Sequence, residues 1–117
     1  MDKIIQIDGR DVKFRATART PRLYRGLFGR DMIVDMNKLK KAFDKNQDDG
    51  DDLDIANLQI FEDTAYVMAR QADPEMEQKT ADEWLDTFNM FSIYEVLPYI
   101  LELWAMNTRQ TSKSKKK

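Results

Sequence analysis

The side chains best placed to do chemistry in this chain are guanidiniums. Arg15, Arg19, Arg22, Arg25 and Arg30 crowd the stretch FRATARTPRLYRGLFGRD, Phe14 to Asp31, which holds a single acid, Asp31. A guanidinium stays protonated, offers a rigid fork of donors and grips carboxylates or phosphates. It cannot take a proton, so the pattern speaks for binding rather than catalysis. Tyr24 lies among the arginines, and a basic strip with an interleaved aromatic is also how a nucleic-acid surface reads. The structural alternative is that these arginines pair with acids of neighbouring helices. A second group is aromatic: Trp84, Phe88, Phe91, Tyr94 and Tyr99. Trp84 and Phe88 read as core. Phe91, Tyr94 and Tyr99 cannot all share the inner stripe set by Val96, Leu97 and Ile100, so some are left to contact a partner. The candidate partner-binding residues are therefore Arg15, Arg19, Arg22, Tyr24, Arg25, Phe91, Tyr94 and Tyr99.

Catalytic readings find little to stand on. The chain has no histidine and no cysteine, which removes the commonest general base, thiol chemistry, disulfides and thiolate metal sites. Ser92 and Ser112 therefore have no histidine to activate them. Glu62-Asp63 and Asp82-Glu83 are adjacent carboxylates, but neighbours on a helix point apart, and they read as solvated faces or caps. Gly9, Gly26, Gly29 and Gly50 fit no phosphate-loop or dinucleotide fingerprint. Gly26-x-x-Gly29 has the spacing of a KH-type loop but falls within and at the end of a helix, where packing and termination explain it better. DKNQDDGDDLD, Asp44 to Asp54, invites a calcium reading. Counted from Asp44, however, the turn glycine arrives one place late and Ile55 stands where the bidentate glutamate belongs. It reads as an acidic linker. No cofactor, no metal and no enzymatic activity are expected.

Charge is distributed unevenly. Residues 1–30 hold eight basic and three acidic side chains, a net of +5; residues 44–95 hold three and fifteen, a net of −12; residues 96–117 return to +4. Opposite poles on one small chain favour ordered association, including head-to-tail self-association into an open helical array. No apolar run reaches the ~20 residues of a membrane span. MDKIIQIDGRD is too acidic and too short in apolar run for a signal peptide. Residence in the cytoplasm where the chain is made is the expectation, with no membrane partner.

The elements that must position these groups are few. Ile4–Ile7 and Val12–Ala16 read as strands joined at Asp8-Gly9, a strong hairpin signal. A four-residue loop pairs Ile7 with Val12 and Ile5 with Phe14. A two-residue loop keeps the same parity, so Ile5, Ile7, Val12 and Phe14 share one face either way. Thr20-Pro21 opens a short helix, capped by the threonine, with Leu23, Leu27 and Phe28 inward and Gly29 as its stop. Asp31 caps the next helix, with Met32, Met36, Leu39 and Phe43 on one stripe. Ile55–Ala72 is a longer helix burying Leu58, Phe61, Ala65, Met68 and Ala72, and Asp73-Pro74 ends it. Thr80-x-x-Glu83 is a capping box for a helix through Phe88. Ser92-x-x-Glu95 is a second, for a last helix with Ile93, Val96, Leu97, Ile100, Leu101 and Trp104 inward, bent by Pro98. The fold class is mainly α: about five helices with an N-terminal hairpin (1–17) in one domain over 1–107, then a disordered basic tail, 108–117.

TPRLYRGLFGRD, with the IDG hairpin before it and EWLDTF and IYEVLPYILELW after it, resembles the tail assembly chaperones of long-tailed (siphovirus-type) bacteriophages and prophages. The resemblance spans nearly the whole chain. It implies a non-enzymatic protein that binds the tape-measure protein, keeps its long apolar helices soluble, recruits tail-tube subunits and is absent from the mature virion. Many such proteins are made in two forms by programmed ribosomal frameshifting. Lys115, Lys116 and Lys117 must be encoded by an A-rich run, which suits a slippery site; the alternative is a solubilising basic tail. Nucleic-acid binding through the Arg15–Arg30 strip is the alternative from a different class.

Overall fold

A computed structural model describes residues 1–49 and 55–105. It is mainly helical with an N-terminal two-stranded hairpin, as the sequence pattern predicts. Strands β1 (Asp2–Ile7) and β2 (Arg10–Arg15) are followed by helices α1 (Thr20–Phe28), α2 (Met32–Asp49), α3 (Ile55–Ala72) and α4 (Ala81–Leu85). A 3-10 turn, Ser92–Val96, then leads into helix α5 (97–105).

The hairpin uses the shorter of the two possible loops. Ile7 pairs with Arg10 and Ile5 with Val12, leaving Asp8 and Gly9 as the turn. Both turn residues have positive φ, 54° and 79°, the combination a tight turn with the right strand twist requires and aspartate-glycine supplies. Ile7 and Phe14 are buried, with Ile5 and Val12 half-buried beside them, so the expected shared face is the one that packs.

That face lies on α3, which is the centre of the fold. Every residue from Ile60 to Ala69 is buried apart from the half-buried Glu62. A single buried face, as the periodicity suggested, would leave part of α3 wet. Instead β2, α1, α2 and α4 all contact it, so its middle, Ile60 to Ala69, is covered nearly all round, while Leu58 and Ala72 toward its ends are half-buried. Trp84 joins the layers: its ring meets Phe14 edge-on at 6.3 Å, Tyr66 at 5.9 Å and Phe88 edge-on at 4.9 Å. Met32, Met36 and Leu39 form the buried stripe of α2, as their spacing predicts.

Several local expectations are corrected. Thr20 does not cap α1; Arg19 holds that position without a side-chain bond. The Thr20 hydroxyl instead accepts from Thr17 N at 2.8 Å and donates to Gln71 Oε1 at 2.6 Å, a buried tie to α3. The inner residue of α1 is Tyr24, fully buried, whereas Leu27 is 41% exposed. Gly29 does end α1, at φ 70°, and Asp31 does cap α2, accepting from Ile33 N at 2.9 Å. The acidic stretch expected to be a loop from Asp44 is helical as far as Asp49, with Lys40 bridging Asp44 at 3.1 Å one turn on. The rest of that stretch and the tail 108–117 lie outside the described residues.

At the other end, α4 stops at Leu85 rather than Phe88. Thr80 caps it, accepting from Glu83 N at 3.1 Å, while the Glu83 carboxylate reaches Lys79 N at 2.8 Å rather than the cap residue itself. Ser92 caps nothing; it is the first residue of the 3-10 turn. Leu97 is already helical and its N–H bonds Tyr94 O, so Pro98, which has no N–H, falls where the 3-10 turn passes directly into α5 rather than inside a regular α-helix.

Candidate interaction surfaces

The basic strip does not survive as a unit. Arg15 donates to both carboxylate oxygens of Asp2, at 2.8 and 3.0 Å, across the strand pair. That hydrogen bond and charge hold the Asp2 carboxyl down at about 2. Arg30 turns inward. Its Nε donates to Asp35 at 2.8 Å, and its Nη2 donates to Asp63 at 2.6 Å and to the Tyr24 hydroxyl at 2.7 Å. The Tyr24 hydroxyl donates onward to Asp35 at 2.7 Å. Burial raises the Tyr24 phenol, and the Asp35 bond raises it further. Burial also raises Asp63, with the Arg30 hydrogen bond pulling the other way. For Arg30 burial is the largest influence and lowers its pKa, but bonds to Asp35, Asp63 and Tyr24 outweigh it and leave the group above its ordinary value. These four side chains fasten the α1–α2 corner to α3. Tyr24, expected in a partner-binding strip, is a core residue.

What remains on the surface is narrower. Arg19, Arg22 and Arg25 are exposed, and none of them makes an ion pair among the described residues. Pairing with acids of neighbouring helices thus holds for Arg30, Arg15 pairs within the hairpin instead, and these three do neither among the described residues.

The aromatic group also divides. Tyr94 packs on Phe61 with ring centres 6.0 Å apart, and its hydroxyl donates to Glu62 at 2.7 Å, which pushes its pKa up to about 12. It is a structural residue. Tyr99 is about half exposed, lining a groove of ≈ 500 Å³ between β1 and α5 with Lys3 above its ring at 5.5 Å. Phe91 is 71% exposed, and its neighbour Met90, which sequence reasoning passed over, is 78% exposed.

Met90 and Phe91 stand on a short loop that is tied down on both sides. The turn residue Asp8 reaches across the sequence and accepts from Asn89 N at 2.8 Å, from Asn89 Nδ2 at 3.0 Å and from the Ser92 hydroxyl. The Ser92 and Asn89 bonds hold the Asp8 carboxyl below the usual carboxylate range. On the other side Arg10 Nη2 donates to Thr87 Oγ1 at 2.6 Å, and its guanidinium lies over Phe88, 4.5 Å from the ring centre. Two large apolar side chains are therefore held out into solvent on a braced edge. Apolar groups in that setting have no packing role within the chain and suit contact with another molecule.

No protein-family model, curated protein or solved structure matches this chain. Among the described residues no group of three or more metal-ligating side chains occurs, and no helix is long and apolar enough to cross a membrane.

Proposed function

We propose that this chain is a phage tail assembly chaperone, a non-enzymatic protein that holds the apolar helices of a tape-measure protein until tail-tube subunits enclose them. The observation that carries the reading is the braced Met90–Phe91 edge, an apolar contact surface with no role in the chain's own core. Methionine and phenylalanine suit an apolar helical client, because a flexible thioether adapts to varied side chains and a ring contributes large area. The sequence resemblance supports the choice of client. On this reading the protein works in the host bacterial cytoplasm, self-associates through its oppositely charged poles, and leaves before the virion is complete.

Co-expression with a tape-measure protein from the same genome tests the proposal. The client is expected to be insoluble alone and soluble with this chain. A client equally soluble without it would defeat the chaperone reading.

A further inference from the structure

Gly26 is a residue the fold does not explain. It lies in the middle of α1 with an ordinary helical φ, and a methyl group there would meet no heavy atom within 4 Å. Alanine would fit without strain and would favour the helix, since glycine loses more backbone freedom on folding. Termination accounts for Gly29, but neither termination nor packing inside the chain accounts for Gly26.

Its surroundings are specific. At ~100° per residue, Arg19, Arg22 and Gly26 fall within an arc of about 60°, Arg25 borders it on one side, and Leu23 and Leu27 border it on the other. Arg19, Arg22, Arg25 and Gly26 are exposed, Leu23 is half-buried, and Leu27 is exposed. The outer face of α1 is thus a row of Arg19, Arg22 and Gly26 with Arg25 on one flank and Leu23 and Leu27 on the other, and none of the three guanidiniums makes an ion pair among the described residues.

We infer that this face docks an acidic amphipathic helix of a protein partner, whose backbone packs against Gly26. A glycine at a helix crossing lets two backbones approach closely. Carboxylates spaced one turn apart on the incoming helix would meet Arg22 and Arg25, and its apolar stripe would cover Leu27. Duplex DNA fits less well. The three arginines span only ~9 Å along the axis, the chain is net negative, and a phosphate backbone gains nothing from a bare glycine. This face and the Met90–Phe91 edge can fail independently: loss of one leaves the other standing.

The test uses the full chain and labelled helical peptides of about 20 residues. One carries glutamates at i and i+4 beside a leucine stripe; the second has every glutamate changed to glutamine. Short duplex DNA is the third probe. Anisotropy should show the glutamate peptide bound at low salt, at least about tenfold more tightly than the glutamine peptide, with Arg22→Glu plus Arg25→Glu abolishing the difference. Gly26→Ala should raise the thermal midpoint yet weaken binding, and Gly26→Leu should weaken it further. A merely structural glycine cannot give opposite signs for stability and binding. Equal binding of both peptides, unchanged binding by Gly26→Leu, or tighter binding of DNA than of the glutamate peptide would each overturn the inference.

Discussion

Arg30 Nη2 donates to Asp63 Oδ2 at 2.6 Å, joining the turn between α1 and α2 to the central helix across 33 positions of sequence. The same guanidinium holds Asp35, and both carboxylates are about nine-tenths buried while the Arg30 side chain is a third exposed. Removing the cation strands two buried anions. A broken buried pair costs about 3–5 kcal/mol; the partial exposure of Arg30 lowers the expectation for Arg30→Met to about 2–3 kcal/mol. Urea unfolding at neutral pH measures it. Arg30→Met combined with Asp35→Asn and Asp63→Asn should recover much of the loss, since no uncompensated charge is then left. A single variant as stable as the native chain would show that the network contributes nothing.

Asp8 couples the hairpin turn to the loop that carries Met90 and Phe91. Its carboxyl is held below its ordinary value in the folded state by the Ser92 and Asn89 hydrogen bonds. A depressed folded pKa gives stability that is present above the unfolded value of 3.8 and is lost as pH falls through the folded one. Asp8→Asn keeps the left-handed turn, which asparagine-glycine adopts well, but removes the anionic acceptor. Native and variant stabilities should therefore differ most at neutral pH and converge as pH falls below about 4. At neutral pH the variant should also be cut faster by chymotrypsin after Phe91. Identical cleavage of the two would show that the Asp8 contacts do not brace the loop.

Much of the architecture is legible because it rests on neighbours in sequence. Alternation fixes the buried face of the hairpin, Gly29 supplies the left-handed helix stop, Asp31 finds the free N–H groups two residues on, and methionines at helical spacing mark the inner side of α2. The two misread caps share one physical cause. Thr20 and Ser92 both stand where a hydroxyl ordinarily caps a helix, yet Thr20 is bonded to Gln71 and Ser92 to Asp8, 51 and 84 positions away. A local motif describes what a side chain does when nothing better comes near, and only the folded chain reveals the competitor. Tyr24 and Arg30 were obscured in the same way, because their partners Asp35 and Asp63 come from other helices. Met90 carried no signal; its significance lies in exposure beside Phe91. Gly26 could be seen in the sequence, but that nothing packs against it could not.

Pro98 gives a sharp check on how the last helix begins. The 3-10 turn Ser92–Val96 passes into α5 at residue 97, so the proline sits at the change of helix type rather than inside a regular α-helix. Pro98→Ala should change stability by no more than about 0.5 kcal/mol. In a helix interior the same replacement would relieve a cost of about 3 kcal/mol. A large stabilisation in urea unfolding would therefore mean that one continuous helix runs from Ser92, with the proline inside it.

The chaperone proposal makes its strongest demand on Met90 and Phe91. Both side chains are mostly in solvent, so Met90→Asp and Phe91→Asp should each leave the unfolding free energy within about 0.5 kcal/mol of native. The same substitutions should sharply reduce the fraction of co-expressed tape-measure protein that stays soluble, because each puts a charge into an apolar contact. Glu77→Lys changes an exposed acid on the surface loop before α4 and should leave rescue intact. Tyr94 separates contact from folding. Tyr94→Phe should preserve rescue, having lost only the bond to Glu62, whereas Tyr94→Asp removes the ring packed on Phe61 and sets a carboxyl near Glu62, so it should fail through loss of structure visible in the unfolding curve. If Met90→Asp with Phe91→Asp rescues the client as well as the native chain does, the braced edge is not where the client binds.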